Sequence, residues 1–396
     1  MILSDLHAYD ARFAVKLNAA APSPSSPGKP SWLDFSNGDS IGRHPIDSFL
    51  QLIQEKAIRA DVLIVPGDIC DRANGDALDQ AWHALESVRA ALYADTVIAT
   101  AGNHDLDSRY RANSYDPTAA LKALTPPFPV SNPSARADFW AYHMADLTVQ
   151  STRFLVINSC AFHGGAPSEI DHGRISPEAL ALLRQAVRQP SSAEQNVVIC
   201  HHHPHPMPSN ISDCDDRMLN GEGLLDCLDE SPDDWLVIHG HRHIAHIAYA
   251  AGSAGSPTVL AAASAAVRLD PRLATVTRNQ AHLVTLAPAA EPAERRGLIE
   301  SWNYTPSVGW QSAGDDLGLP HLCGFGYRGS MRALAKSLAA AVAWNGGPLS
   351  WSEVVLSVPE IQFLTPRDFR RVRDCASALG IQLLRSPGAG YEAASI

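Results

Sequence analysis

Long apolar runs are missing from this 396-residue chain, so no segment is fit to cross a bilayer as a helix. An excess of positive charge is missing too. The formal charge of -11 and a pI near 5.8 argue against a general nucleic-acid coat or a membrane-surface protein, although a local basic patch fits within such a total. The seven cysteines, at positions 70, 160, 200, 214, 227, 323 and 375, are odd in number and lack any CxxC spacing. Reduced thiols in a cytoplasmic protein are therefore expected. No basic segment followed by an apolar one precedes the first motif, in keeping with that location. What is present is a 45% hydrophobic chain, long enough for two domains or for one large domain with an appendage.

From residue 46 to about 310, short β-branched runs alternate with helical patterns. The runs at 61–66, 96–100, 154–158, 196–200 and 235–239 read as buried strands, and the stretches 46–59, 76–93 and 177–188 as helices. Ser176-Pro177-Glu178 supplies a cap and a proline at the first helical position. A layered α/β architecture is expected. The segment from Ala21 to Ser31 is too rich in proline and serine to pack and is expected to be a mobile surface loop.

Several strands run directly into residues of metal-ligand type. Gly67-Asp68-Ile69-Cys70-Asp71 follows the first run, Gly102-Asn103-His104-Asp105 the second, His201-His202-His203-Pro204 the fourth and Gly240-His241-Arg242-His243 the fifth. Asp5-Leu6-His7 makes a fifth block near the start. Loops at the carboxyl edge of an α/β sheet meet over one crevice, so the blocks converge. Imidazole and carboxylate suit Zn, Mn or Fe, and one carboxylate can bridge two such ions. Glycine before three of the clusters lets the backbone turn sharply and bring ligands close. Each motif alone carries little weight; five in order carry much more.

In that order the blocks resemble the calcineurin-like metallophosphoesterase superfamily, whose pattern runs DxH, GDxxD, GNH(D/E), H and GHxH. The resemblance implies a four-layer fold of two mixed β-sheets flanked by helices. It implies that Asp5, His7, Asp68 and His243 bind one divalent transition-metal ion, and that Asp68, Asn103, His202 and His241 bind the other, with Mn favoured over Fe or Zn. Within the histidine run the family pattern places the ligand two residues before the proline, which selects His202 with His201 as runner-up. His104 is implied as the catalytic residue, and Asp71 and Asp105 as groups that orient ligands or His104. A scaffold that has lost catalysis would lack some of these residues, and none is missing.

Two cations lower the pKa of a bridging water, hold a phosphate oxygen and neutralise developing charge, so the implied reaction is phosphoester hydrolysis. The segments 156–159 and 172–184 resemble the corresponding strand and helix of bacterial cyclic-nucleotide phosphodiesterase relatives, although Ile175 stands where those have leucine. A phosphodiesterase is therefore favoured over a monoesterase.

A composition shift at residues 312–328 marks an expected boundary, with a metallophosphoesterase domain over 1–315 and a small helical or winged-helix domain over 326–396. Helices are expected at 330–344, 350–356 and 366–379. The last has Phe369, Val372, Ala376 and Leu379 as its buried stripe, and Arg367, Arg370 and Arg371 opposite. Residues 326–396 hold eight lysines and arginines against five acids, which permits nucleic-acid contact. A nuclease of the same superfamily is the alternative. Only three residues, Ile2 to Ser4, precede the first ligand as a strand, and a natural start slightly upstream of Met1 is expected on that ground.

Overall fold

The β-branched runs fold as short buried strands in the computed structural model, which describes residues 1–12, 29–36, 44–170, 172–189, 191–207, 216–250, 257–288, 296–314, 317–386 and 390–395. After helix α1 (Pro45–Lys56), strand β1 (Val62–Val65) leads through α2 (Gly75–Leu92) to β2 (Thr96–Ala99), which pairs with β1 in parallel. Parallel neighbours need a crossover of this length, here made by α2. Asn74 begins α2 by accepting a hydrogen bond from the Ala77 N–H.

A second sheet follows α3 (Pro133–Tyr142). It contains β3 (Met144–Val149), β4 (Thr152–Ile157), β5 (Gln195–Ile199), β6 (Leu236–His239), β7 (His246–Tyr249) and β8 (Thr258–Ala261), in the order β3-β4-β5-β6-β8-β7. The inner strands are parallel and the two edge strands antiparallel. Their side chains alternate between two cores, as a period of two requires. Phe154, Val156, Val197, Ile199, Leu236 and Ile238 face the first sheet. Leu155, Ile157, Val198 and Val237 face the helices Pro177–Arg188 and Gly221–Asp229 on the outside.

The chain then returns to the first sheet. Strand β9 (Asn279–Leu286) pairs with β10 (Gly297–Thr305), which also pairs with β11 (Gly309–Ser312) and β12 (Leu322–Phe325). Strands β10 and β11 form a hairpin whose turn ends at Gly309 (φ +92°). Residues 1–4 join β1 to β9: Ile2 bridges Ile64 on one side and His282 on the other. Its neighbours supply the backbone partners that a short strand cannot supply for itself, with Leu3 N–H donating to Ile64 O at 3.0 Å and Ile2 N–H to His282 O at 2.7 Å. The architecture is two mixed sheets packed face to face with helices outside.

Beyond β12 lies a small unit with its own core. Helices Met331–Asn345, Trp351–Ser357 and Pro366–Ser377 bury Leu334, Leu338, Val342, Val354, Phe369, Val372 and Ala376 together, beside three short strands ordered Leu349–Ser350, Gly390–Ser395, Gln382–Ser386. Leu379 does not extend the stripe. The helix ends at Ser377, Leu379 is 46% exposed, and Ile381 fills the core instead. Gly324 and Tyr327 N–H groups donate to Leu364 and Phe363 carbonyls, tying the unit to β12. The proline- and serine-rich segment lies mostly outside the described residues; its last residue, Ser31, is buried and donates to Leu6 O at 2.7 Å. No helix among the described residues is long and apolar enough to cross a membrane.

Candidate metal centre

The ligand blocks sit where strands end, and their backbone is unusual. Asp5 (φ 51°), His7 (φ 45°), Asp68 (φ 53°), His241 (φ 75°) and His243 (φ 60°) all occupy the left-handed region. Side chains with a Cβ disfavour that region by roughly 1–3 kcal/mol each, so the surroundings must impose it. Asp5 N–H donates to Gly67 O at 3.1 Å, His7 N–H to Asp68 O at 2.9 Å, and His241 N–H to Asp5 Oδ1 at 2.9 Å. Glycine is required where the loops touch. A Cβ on Gly102 would lie 2.2 Å from Asp68 Oδ1, and one on Gly240 would lie 2.5 Å from Asp5 Oδ2.

Two sets of donors result. In the first, His7 Nε2 lies 3.0 Å from His243 Nε2 and 3.4 Å from Asp68 Oδ2, while His243 Nε2 lies 3.5 Å from Asp5 Oδ1. Each residue of this set offers a donor atom within 4.8 Å of the others. Ring nitrogens so close, among carboxylates, fit a cation between them better than they fit one another. In the second set, His201 Nε2 is 3.0 Å from Asn103 Oδ1 and 3.4 Å from Asp68 Oδ2. His241 Nδ1 is 3.2 Å from the same Asn103 oxygen. Asp68 belongs to both. The donors are nitrogen and oxygen throughout, a set that Mn, Fe and Zn all accept.

Within the histidine run, the residue beside Asp68 and Asn103 is His201, the runner-up. His201 is fully buried, and its Nδ1 lies 2.8 Å from Pro66 O, which fixes the ring and leaves Nε2 for the cluster. The next residue, His202, offers a donor atom within 4.8 Å of those of His201 and His241, and its Nδ1 is 2.9 Å from Ser159 Oγ. Its ring packs on His241 at 4.4 Å between centroids.

Charge in the cluster is tightly paired. Burial works against the Asp68 carboxylate, yet His201 and His104 hold it well below the usual carboxylate range. For His201, burial is outweighed by Asp68 and Asp5, and its pKa rises to about 9. His104 also rises to about 9, with Asp68 and Asp71 outweighing burial. Its Nδ1 lies 2.9 Å from Asp71 Oδ1 and its backbone N–H donates to Asp68 Oδ1 at 2.8 Å. Asp105 is pushed up to about 7 by burial and by Asp68. Its carboxylate accepts from Cys70 N–H and Gly102 N–H, both at 2.9 Å, and so braces the Asp68 and Asn103 loops against each other.

Sequence reasoning missed Asp216. Its Oδ2 is 3.1 Å from His241 Nε2 and accepts from Arg242 Nη1 at 2.7 Å. A carboxylate on the far nitrogen fixes the tautomer that leaves Nδ1 of His241 facing Asn103. No motif flags Asp216, which stands apart from every ligand block. Beside the cluster, a crevice of about 320 Å³ is lined by Asn103, His104 and three exposed arginines, Arg72, Arg109 and Arg111.

The calcineurin-like phosphoesterase family model matches residues 1–260, and the wHTH-Calcineurin_assc model matches residues 323–374. No curated protein matches the chain. Among solved structures it is similar to a dimetal phosphatase from Danio rerio, at 13% identity over 76% of this chain and 94% of that one, with a TM-score of 0.48. It is similar also to a purple acid phosphatase from yellow lupin (Lupinus luteus) seeds, at 13% identity over 78% and 51%, TM-score 0.43. A phosphopantetheinyl hydrolase from Mycobacterium tuberculosis gives 14% identity over 66% and 88%, TM-score 0.30. The family match spans well over half of the chain and every ligand block, so this protein belongs to the calcineurin-like phosphoesterases and carries a dinuclear metal-binding site.

Proposed function

We propose that the protein is a cytoplasmic manganese-dependent phosphodiesterase in which Asp5, His7, Asp68 and His243 hold one ion. Asp68, Asn103, His201 and His241 hold the other. The observation that carries this reading is the convergence of both donor sets on Asp68, with ring nitrogens 3.0–3.4 Å from their neighbours. When bound, a pair of divalent ions supplies Lewis acidity, an acidified water and neutralisation of phosphoryl charge. His104 lines the crevice, and Asp71 holds its Nδ1, so Nε2 serves the leaving oxygen as proton donor. The three arginines place positive charge in the crevice beside the cluster and favour a substrate that carries further anionic charge on that side.

A nuclease is the second reading, favoured by one observation. Helix Pro366–Ser377 exposes Arg367, Arg370, Arg371 and Arg373. Arg367 and Arg370 are near enough to His246 to add to the burial that lowers its pKa, and His246 follows His243 by three residues. Positive charge on this helix thus acts on a residue close in the chain to a proposed metal ligand.

A substrate panel with added manganese tests both readings: aryl mono- and diesters, cyclic nucleotides, and single- and double-stranded DNA. Turnover of diesters, abolished by a chelator and restored by manganese, is expected. Hydrolysis confined to monoesters would sink the phosphodiesterase reading, and hydrolysis of DNA in preference to small diesters would establish the second.

A further inference from the structure

We propose that Cys160, His163 and His202 form a mononuclear zinc site behind the dinuclear centre. The proposal rests on His201, rather than His202, serving the dinuclear pair. Cys160 and His163 lie on the turn that follows β4, where His163 N–H donates to Cys160 O at 3.0 Å. His202 comes from the end of β5, the neighbouring parallel strand. All three are buried, at 0%, 3% and 1% exposure, and each offers a donor atom within 4.8 Å of the others.

The donor chemistry fits. Cys160 Sγ is 3.8 Å from His202 Nδ1. A tetrahedral zinc ion with its usual bond lengths to sulfur and nitrogen holds those two atoms roughly 3.6 Å apart. His163 Nε2 lies 3.1 Å from the carbonyl oxygen of His172, which can only accept, so Nε2 carries the ring proton. His163 Nδ1 is therefore a lone pair, and it is buried with no hydrogen-bond partner. Such an atom is normally satisfied, and a cation satisfies it. His202 Nδ1 pairs with Ser159 Oγ at 2.9 Å and the Cys160 thiol donates to Ala101 O at 3.3 Å, contacts that the ion replaces.

Thiolate with imidazole selects zinc, whereas the neighbouring cluster of nitrogen and oxygen donors also accepts manganese. Binding expels the Cys160 thiol proton to solvent and puts a sulfur–zinc bond in its place. The ion ties the turn after β4 to the start of the histidine run. His202 packs on His201 at 5.0 Å and on His241 at 4.4 Å between ring centroids, so the tie also steadies two proposed ligands of the dinuclear pair.

Metal analysis and cobalt spectroscopy on the full chain test this. Wild-type protein is expected to hold one zinc in addition to the pair. Loaded with cobalt, it is expected to show a thiolate-to-cobalt charge-transfer band in the near ultraviolet. Cys160→Ser should abolish the band and lose one ion, while the manganese-loaded variant keeps the spin-coupled signal of a metal pair; His163→Asn should also lose one ion and keep the pair. A wild-type protein that holds a spin-coupled pair but gives no thiolate band overturns the zinc site and leaves the dinuclear reading intact. A thiolate band without any spin-coupled pair supports the zinc site and defeats the dinuclear reading. Both readouts on wild-type protein stand even if a variant fails to fold.

Discussion

Asp71 Oδ1 lies 2.9 Å from His104 Nδ1 and 3.5 Å from His7 Nδ1, so one carboxylate oxygen links the proposed proton donor to a proposed metal ligand. His104→Ala should reduce kcat on an aryl phosphodiester by roughly 10²–10⁴-fold with metal content unchanged, the range for removing a general acid. Asp71→Asn should cost about 10–100-fold, through a less well oriented imidazole. Full activity in His104→Ala would sink its catalytic role.

Asp216 holds the far nitrogen of His241. Asp216→Asn should weaken binding of one ion of the pair by about 10–100-fold and leave the other nearly unaffected. Manganese titration followed by calorimetry would show two unequal steps in the variant. Two unchanged steps would remove Asp216 from the site.

Away from the cluster, His282 is fully buried, with Nδ1 2.8 Å from Ser301 Oγ and Nε2 unpartnered, and burial pushes its pKa down to about 3. Its folded pKa is below the unfolded value near 6.5, so the unfolded chain binds the extra proton first. The stability this neutral histidine retains above that value is lost as pH falls from about 6.5 toward 3, by about 2 kcal/mol at pH 5. Denaturant unfolding at about pH 7.5 and 5 should show a smaller pH effect in His282→Phe than in wild type. Equal pH effects would contradict the assignment.

The exposed arginines on helix Pro366–Ser377 make the nuclease reading measurable. Arg370→Ala with Arg371→Ala should weaken DNA binding and lower the salt slope by about one for each phosphate no longer neutralised. Unchanged binding would remove this helix from any nucleic-acid interface.

The ligand blocks were legible because each is local: a strand end and its donors within a few residues, with a glycine between them in three of the five. The layered α/β fold was legible for the same reason, through runs such as Val62–Val65 and Leu236–His239 whose burial matches their composition. Choosing among three consecutive histidines was another matter. Which one meets Asp68 depends on where β5 ends, and Ile199 ends it early enough for His201 to reach the cluster. Asp216 was invisible because its partner is 25 residues away in the chain and no spacing rule connects them. Leu379 was misplaced because periodicity does not mark a helix end that Ser377 and Gly380 set.

The left-handed backbone at Asp5, His7, Asp68, His241 and His243 filters substitutions twice, once by donor chemistry and once by conformation. Aspartate and histidine, with asparagine, are the residues with a Cβ that enter this region most readily. Glutamate offers the same oxygens as aspartate but lacks that tolerance. The alphabet open to these five positions is therefore narrower than metal chemistry alone would set.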